Sequence, residues 1–197
     1  MLKYNQDFLK RYLKWGWLAF ISITVIFAGI TGYLAHVYPT AIHNMIKLLR
    51  SILPTSGNNT QMFWGILLNN EKATLIILLL ALIPIPGFYW LTFIMTSLSV
   101  GFVLGVRGAQ SGWLLVVKAF VLGILPHGIF EMSALLLVVA LAAQLNRGWR
   151  NFLFSRQLQQ PISVKALLLQ YLLIVVPLIA LAALIEGFIT PILLQWA

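Results

Sequence analysis

Residues 113–145 read WLLVVKAFVLGILPHGIFEMSALLLVVALAAQL, an apolar run of 33 residues that carries Lys118, Pro126, His127 and Glu131 within it. As one α-helix the run is about 50 Å long, well beyond the roughly 30 Å of a hydrocarbon core, whereas two full crossings need about 40 residues. One span plus a fragment fits that length. The break belongs at Gly123–Gly128, where Pro126 removes a backbone donor and the glycines permit unusual angles. Irregular backbone at membrane depth survives only where protein or a water-filled cavity covers it. Residues 113–125 are therefore expected to form a re-entrant half-helix and 127–145 a span, with a full crossing by 113–125 as the rival.

The rest of the chain is of the same kind. It is 61% hydrophobic and 9% charged, with a mean hydropathy of +0.95; soluble domains carry about 25% charge, so one water-soluble core cannot absorb this much apolar surface. Without cysteine there are no disulfides, thiolate metal ligands or cysteine nucleophile. The net charge of +9 comes from basic residues scattered over segment ends, which argues for membrane topology and against nucleic acid.

Upstream, residues 1–14 carry Lys3, Lys10, Arg11 and Lys14 and read as a short basic interfacial helix on the cytoplasmic leaflet. The apolar run from Trp15 to Val37 is too long for a cleaved signal and is expected to remain as the first span. Between Tyr38 and Gln61, with Pro39, Pro54, Ser56 and Gly57, the pattern Ile42, Met45, Ile46, Leu49 against His43, Asn44, Lys47, Arg50 predicts an amphipathic surface helix. Asn69-Asn70-Glu71-Lys72 reads as an interfacial turn before a second span at about 73–82. That span is short and is expected to extend upstream through 63–70, which buries Asn69 or Asn70 and makes them candidate site residues. Pro84-Ile85-Pro86-Gly87 breaks the chain, and a third span runs from Phe88 to Val106. In it Ser97 and Ser99 are polar candidates, and Gly101 with Gly105 is a small-xxx-small pair that lets helices approach. The last helix spans about 166–194.

Arg147, Arg150, Arg156 and Lys165 crowd the loop before that helix, and the N-terminus is also basic. Both are expected on the cytoplasmic side, with the C-terminus outside. The seven tryptophans fall near segment boundaries, as an interfacial belt would. The expectation is an all-α polytopic transmembrane bundle of five or six membrane segments, broken or re-entrant around Pro126, with residues 1–14 a cytoplasmic basic segment and 15–197 one transmembrane domain.

Two of the four acidic residues, Glu131 and Glu186, sit inside apolar runs. A carboxylate at a helix centre costs roughly 2.5 kcal/mol or more on insertion scales, so it normally faces the bundle interior and finds a partner. His127, four residues before Glu131, lies on the same helical face. Glu131 is 16 residues before Arg147 and Glu186 is 21 after Lys165, roughly 24 and 31 Å along helices, so both can share one layer away from the basic loop. His127, Glu131 and Glu186 are on paper a zinc-type ligand set or an acid–base group, although a single His is a thinner signature than the two of zincins. Lys118 reads as a snorkelling or carboxylate-pairing side chain, and His36 and His43 as ordinary interfacial residues.

The run Leu125-Pro126-His127-Gly128-Ile129-Phe130-Glu131-Met132-Ser133-Ala134-Leu135, with the closing pattern Gln160-Pro161 through Leu184-Ile185-Glu186-Gly187-Phe188-Ile189-Thr190-Pro191, resembles the stage II sporulation protein M family of bacterial membrane proteins. The resemblance covers the chain from about residue 60. Family members tend to carry Asn-Gly in the third span, where this chain has Ser97-Leu98-Ser99-Val100-Gly101. The resemblance implies envelope biology in a Gram-positive type of bacterium: a forespore engulfment complex with peptidoglycan-degrading partners, or circular bacteriocin production, maturation and secretion. The His-Gly-x-Phe-Glu segment points to the non-sporulation branch.

The principal expectation is a non-catalytic, multi-pass component of an envelope, peptide-maturation or secretion complex, with membrane-protein or peptide partners, an ATP-driven exporter or other copies of itself beside it. A membrane-embedded hydrolase or peptidase using a divalent metal such as zinc at His127, Glu131 and Glu186 is the alternative. A small transporter or proton-coupled channel is the third.

Overall fold

The computed structural model describes residues 2–52, 58–155 and 163–196, and among them no strand is present. Pro54, Ser56, Gly57, Arg156 and Gln160-Pro161, which enter the sequence reading, lie outside the described residues. The helices are α1 (Leu2–Val37), α2 (Pro39–Ile52), α3 (Asn59–Leu80), α4 (Leu91–Ser111), α5 (Trp113–Ala119), α6 (Leu125–Ser155), α7 (Val164–Gln170), α8 (Val176–Leu184) and α9 (Thr190–Leu193). Among the described residues, five stretches are long and apolar enough to cross a membrane: Asp7–Val37, Asn59–Leu80, Phe88–Ser111, Trp113–Phe154 and Val164–Leu193.

The basic N-terminal segment is not a separate helix, since α1 runs from residue 2 into the first span without a break. The amphipathic α2 follows, with His43, Asn44 and Lys47 exposed. A reciprocal capping box starts α3: the Asn58 side chain accepts from the Gln61 amide at 2.9 Å, and the Gln61 side chain accepts from the Asn58 amide at 3.2 Å. From that start the helix runs through Asn69-Asn70-Glu71-Lys72, so this polar quartet lies in mid-span and not in an interfacial turn. Gly87, at φ 82°, and Gly112, at φ 85°, make the turns before α4 and α5. Both angles lie in the left-handed region that suits glycine.

The re-entrant half-helix is not found. Residues 113–154 form one helical stretch, and the irregularity expected around Pro126 is a π-helical turn over Phe120–Ile124 that joins α5 to α6. Two more π turns, Tyr171–Val175 and Ile185–Ile189, link α7 to α8 and α8 to α9. Each ends two residues before a proline: Pro126, Pro177 and Pro191. Proline removes a ladder donor and crowds the carbonyl four residues upstream, and a widened turn relieves that conflict without breaking the helix.

Neighbour pairs fix the topology. Phe20 meets Phe93, Thr24 donates to the Ser97 carbonyl at 3.2 Å, and Gly105 lies against Ala28 and Gly32, so α1 and α4 are parallel. Gly101 and Gly105 sit directly on the α1 backbone, and a methyl group at either would collide with it. The small-xxx-small pair is thus a helix contact. α6 runs antiparallel to α1, with Leu136 over Gly16, and parallel to α3, since the Asn146 amide donates to the Ala81 and Ile83 carbonyls of the turn just after α3 at 2.9 and 2.7 Å. The final helix runs back along α3, from Tyr171 beside Thr74 to Gly187 beside Phe63. In consequence the start of α1, the 81–90 turn and the end of α6 lie at one end of the bundle. The core is α6, where Ala134, Leu136, Val138, Val139, Ala140 and Ala142 are wholly buried; a helix that is apolar all round belongs at the centre.

Candidate functional site

The site is built from two i, i+4 pairs on antiparallel helices. α6 presents His127 and Glu131 one turn apart, and the last helix presents Glu186 and Thr190 at the same spacing. The π turn over Ile185–Ile189 contains Glu186, and that over Phe120–Ile124 ends three residues before His127. Such turns shift the phase of a helix and re-aim the side chains around them, which is why they recur at functional sites. Gly187 lets the backbone of Phe63 lie against the second π turn, and Gly123 does the same for the Leu194 side chain.

His127, Glu131 and Glu186 converge so that one ligand atom from each lies within 4.8 Å of the other two. The His127 Nε2 is 3.7 Å from a Glu186 carboxylate oxygen. Its Nδ1 faces the Thr190 hydroxyl at 3.4 Å. With Nδ1–H donating to that hydroxyl, the Nε2 lone pair points at the carboxylates, the arrangement that a hydrogen-bonded metal-ligating imidazole adopts. His127 is buried, and both glutamates are partly covered. Two carboxylates this close in an apolar medium repel, so a cation or a shared proton belongs with them. Zinc ligands at 2.0–2.2 Å from the ion lie about 3.4 Å apart in a tetrahedron, so the widest of these separations needs to close by up to about 1.4 Å to hold one.

A cavity of about 260 Å³ opens beside the group, lined on three sides by Trp17 and Phe20 of α1, Thr96, Ser99 and Val103 of α4, and His127, Glu131 and Met132 of α6. Its walls are apolar apart from a few groups, the composition that ligand sites share. Among the expected candidates Ser99 faces this cavity while its hydroxyl donates to the Met95 carbonyl at 2.9 Å. Ser97 does not join the site: it is buried against α1 and donates to the Phe93 carbonyl. Asn70 is buried within α3, Asn69 is exposed, and Lys118 is exposed on α5 away from the three ligands.

Sequence reasoning did not single out Thr190, although its place four residues after Glu186 is the available signal. It also left out a second polar group. Tyr171 donates to a Glu71 carboxylate oxygen at 2.5 Å and shares a 2.7 Å hydrogen bond with Thr74, whose hydroxyl also lies 2.8 Å from the Glu71 carbonyl. Only the mid-span position of Glu71 reveals it.

Fold and site together define a polytopic α-helical membrane protein with a histidine–carboxylate group inside the bilayer. The chain belongs to the stage II sporulation protein M family, whose sequence model matches residues 17–191, from within the first span to within the last, and includes the site. No curated protein and no solved structure matches it.

Proposed function

We propose that this protein is a component of a bacterial cell-membrane complex serving the envelope, peptide maturation or secretion, and that His127, Glu131 and Glu186 form a divalent-metal centre of the zinc type at its working part. The observation that carries this reading is the convergence of three ligating atoms within 4.8 Å from two helices. Thr190 on the far side of the imidazole supports it, because a metal-binding histidine needs its other nitrogen held. A bound metal would polarise a water or a carbonyl presented from the cavity. Glu131, which lines both the group and the cavity, would offer one carboxylate oxygen to the metal and the other to a proton there, and Glu186 would complete the ligand set. The substrate side is apolar, which suits a hydrolytic step on an amide or ester presented from the bilayer.

Metal analysis of purified protein tests the proposal. Near-stoichiometric zinc-class metal is expected, falling about tenfold or more in His127→Ala, Glu131→Gln and Glu186→Gln while each variant keeps its helix content. A folded, metal-free preparation that supports full biological function in the producing cell would sink the metal reading.

A further inference from the structure

The polar quartet of α3 is divided between two faces. Glu71 is bonded to Tyr171 inside the bundle and Asn70 is buried, whereas Asn69 and Lys72 point outward and are exposed. Among the described residues no hydrogen bond or ion pair involves Lys72. Lys72 lies thirteen residues after Asn59 and eight before Leu80, about 20 and 12 Å from the two ends of the helix. Its stem reaches about 6 Å and leans toward the helix N-terminus, the more distant end, so the ammonium cannot snorkel to either headgroup layer. The surrounding outward residues, Trp64, Leu68, Leu75 and Leu79, are at least half exposed and suit lipid.

An ammonium facing hydrocarbon in mid-bilayer is costly unless a counter-charge meets it. We infer that the outer stripe Gly65–Asn69–Lys72–Ile76 of α3 is a docking surface for a transmembrane helix of another protein that carries a carboxylate near its middle. The four positions fall on one face at i, i+4, i+7 and i+11. Gly65 has open space over its Cα, so the partner backbone can approach closely there, as small residues allow between membrane helices. α3 is also the least covered of the five spans.

Charge decides between a partner and a second copy. A two-fold contact through this stripe sets Lys72 against Lys72, which is repulsive. The chain's own mid-span carboxylates are committed inward, Glu71 to Tyr171 and Glu131 and Glu186 to the His127 group, and Asp7 sits near the start of α1. A foreign carboxylate remains. The surface stands independently of the metal centre.

The test uses the full chain, donor-labelled and reconstituted in phosphatidylcholine vesicles, with acceptor-labelled polyleucine transmembrane peptides carrying a single central Glu, Gln, Lys or Leu. The Glu peptide is expected to associate about tenfold more tightly than the Leu peptide. Lys72→Leu removes that advantage, and Lys72→Glu transfers it to the Lys peptide. Each variant should retain its helix content and, since the stripe is remote from His127, the wild-type metal content. Equal binding of Glu and Leu peptides overturns the proposal. So does an advantage that survives in Lys72→Leu, or strong transfer between differently labelled copies of the chain that Lys72→Leu abolishes.

Discussion

Glu71, Thr74 and Tyr171 form a hydrogen-bonded set in which each hydroxyl serves the carboxylate or its helix, while the second carboxylate oxygen of Glu71 is buried without a hydrogen bond. Removing one member strands the others inside the bundle, where an unsatisfied polar group costs about 1–3 kcal/mol. Tyr171→Phe should therefore lower the melting temperature in detergent by several degrees. Glu71→Gln combined with Tyr171→Phe should cost less than the sum of the single changes, because the second change removes a group already stranded. Additive losses would show that the three do not act together. His127 and Glu131 stand out in the sequence because four-residue spacing puts both on one face of an apolar helix, and Glu186 because it is a lone carboxylate among leucines and isoleucines; spacing alone does not separate a ligand set from a buried structural cluster. Glu71 does not stand out, since Asn69, Asn70 and Lys72 beside it make a mid-span residue resemble a membrane boundary. Only the length of α3, set by its Asn58 cap, moves the quartet to the bilayer centre.

At the scale of elements, Pro126 signals an irregularity but not its kind, because a break and a π turn share the same local cause. A π turn is an α-helical turn with one extra residue. Deleting Leu122 should convert Phe120–Ile124 to regular helix with α5 and α6 still in phase, at the cost of restoring the Pro126 clash that the wide turn relieves, so folded yield should fall only in part. Deleting Val138, at the buried centre of α6, rotates everything upstream by about 100° relative to everything downstream and should abolish folding. Circular dichroism and gel filtration in detergent check both; equal damage from the two would contradict the accommodating role given to the π turn. That α4 makes a close helix contact was readable from Gly101 and Gly105, because close approach requires small residues whatever the partner; that the partner is α1 was not. A leucine at Gly105 would press on Thr31 and the Ala28 carbonyl, whereas one at Gly29 meets open space. Gly105→Leu should cost about 1–3 kcal/mol or more and Gly29→Leu close to nothing, measured as the loss of folded protein on heating.

At the scale of the whole molecule, five crossings put the start of α1, the 81–90 turn, the end of α6 and the start of α7 at one end, and α2, the α4–α5 turn and the last turn at the other. Lys10, Arg11, Lys14, Arg147, Arg150 and Lys165 belong to the first end, and Lys47 and Arg107 to the second. Tyr12 and Arg147 are close enough to interact electrostatically, which ties the two basic clusters together in space as well as in topology. Positive residues in short flanking segments stay on the cytoplasmic side, so the first end is expected to be cytoplasmic and the C-terminal helix to finish outside. This inference needed only the parity of the crossings, which is why the sequence yields it even with the wrong picture of residues 113–125: a half-helix that returns and a helix that continues add the same net crossing. The chain has no cysteine, so single substitutions report without interference. In intact producing cells, an impermeant maleimide is expected to label Gln195→Cys at once, and to label Lys10→Cys or Lys165→Cys only after permeabilisation. The reverse pattern would place the N-terminus outside and require the basic clusters to be held there by a partner, while labelling of Lys10→Cys and Lys165→Cys from opposite sides would break the five-crossing topology itself.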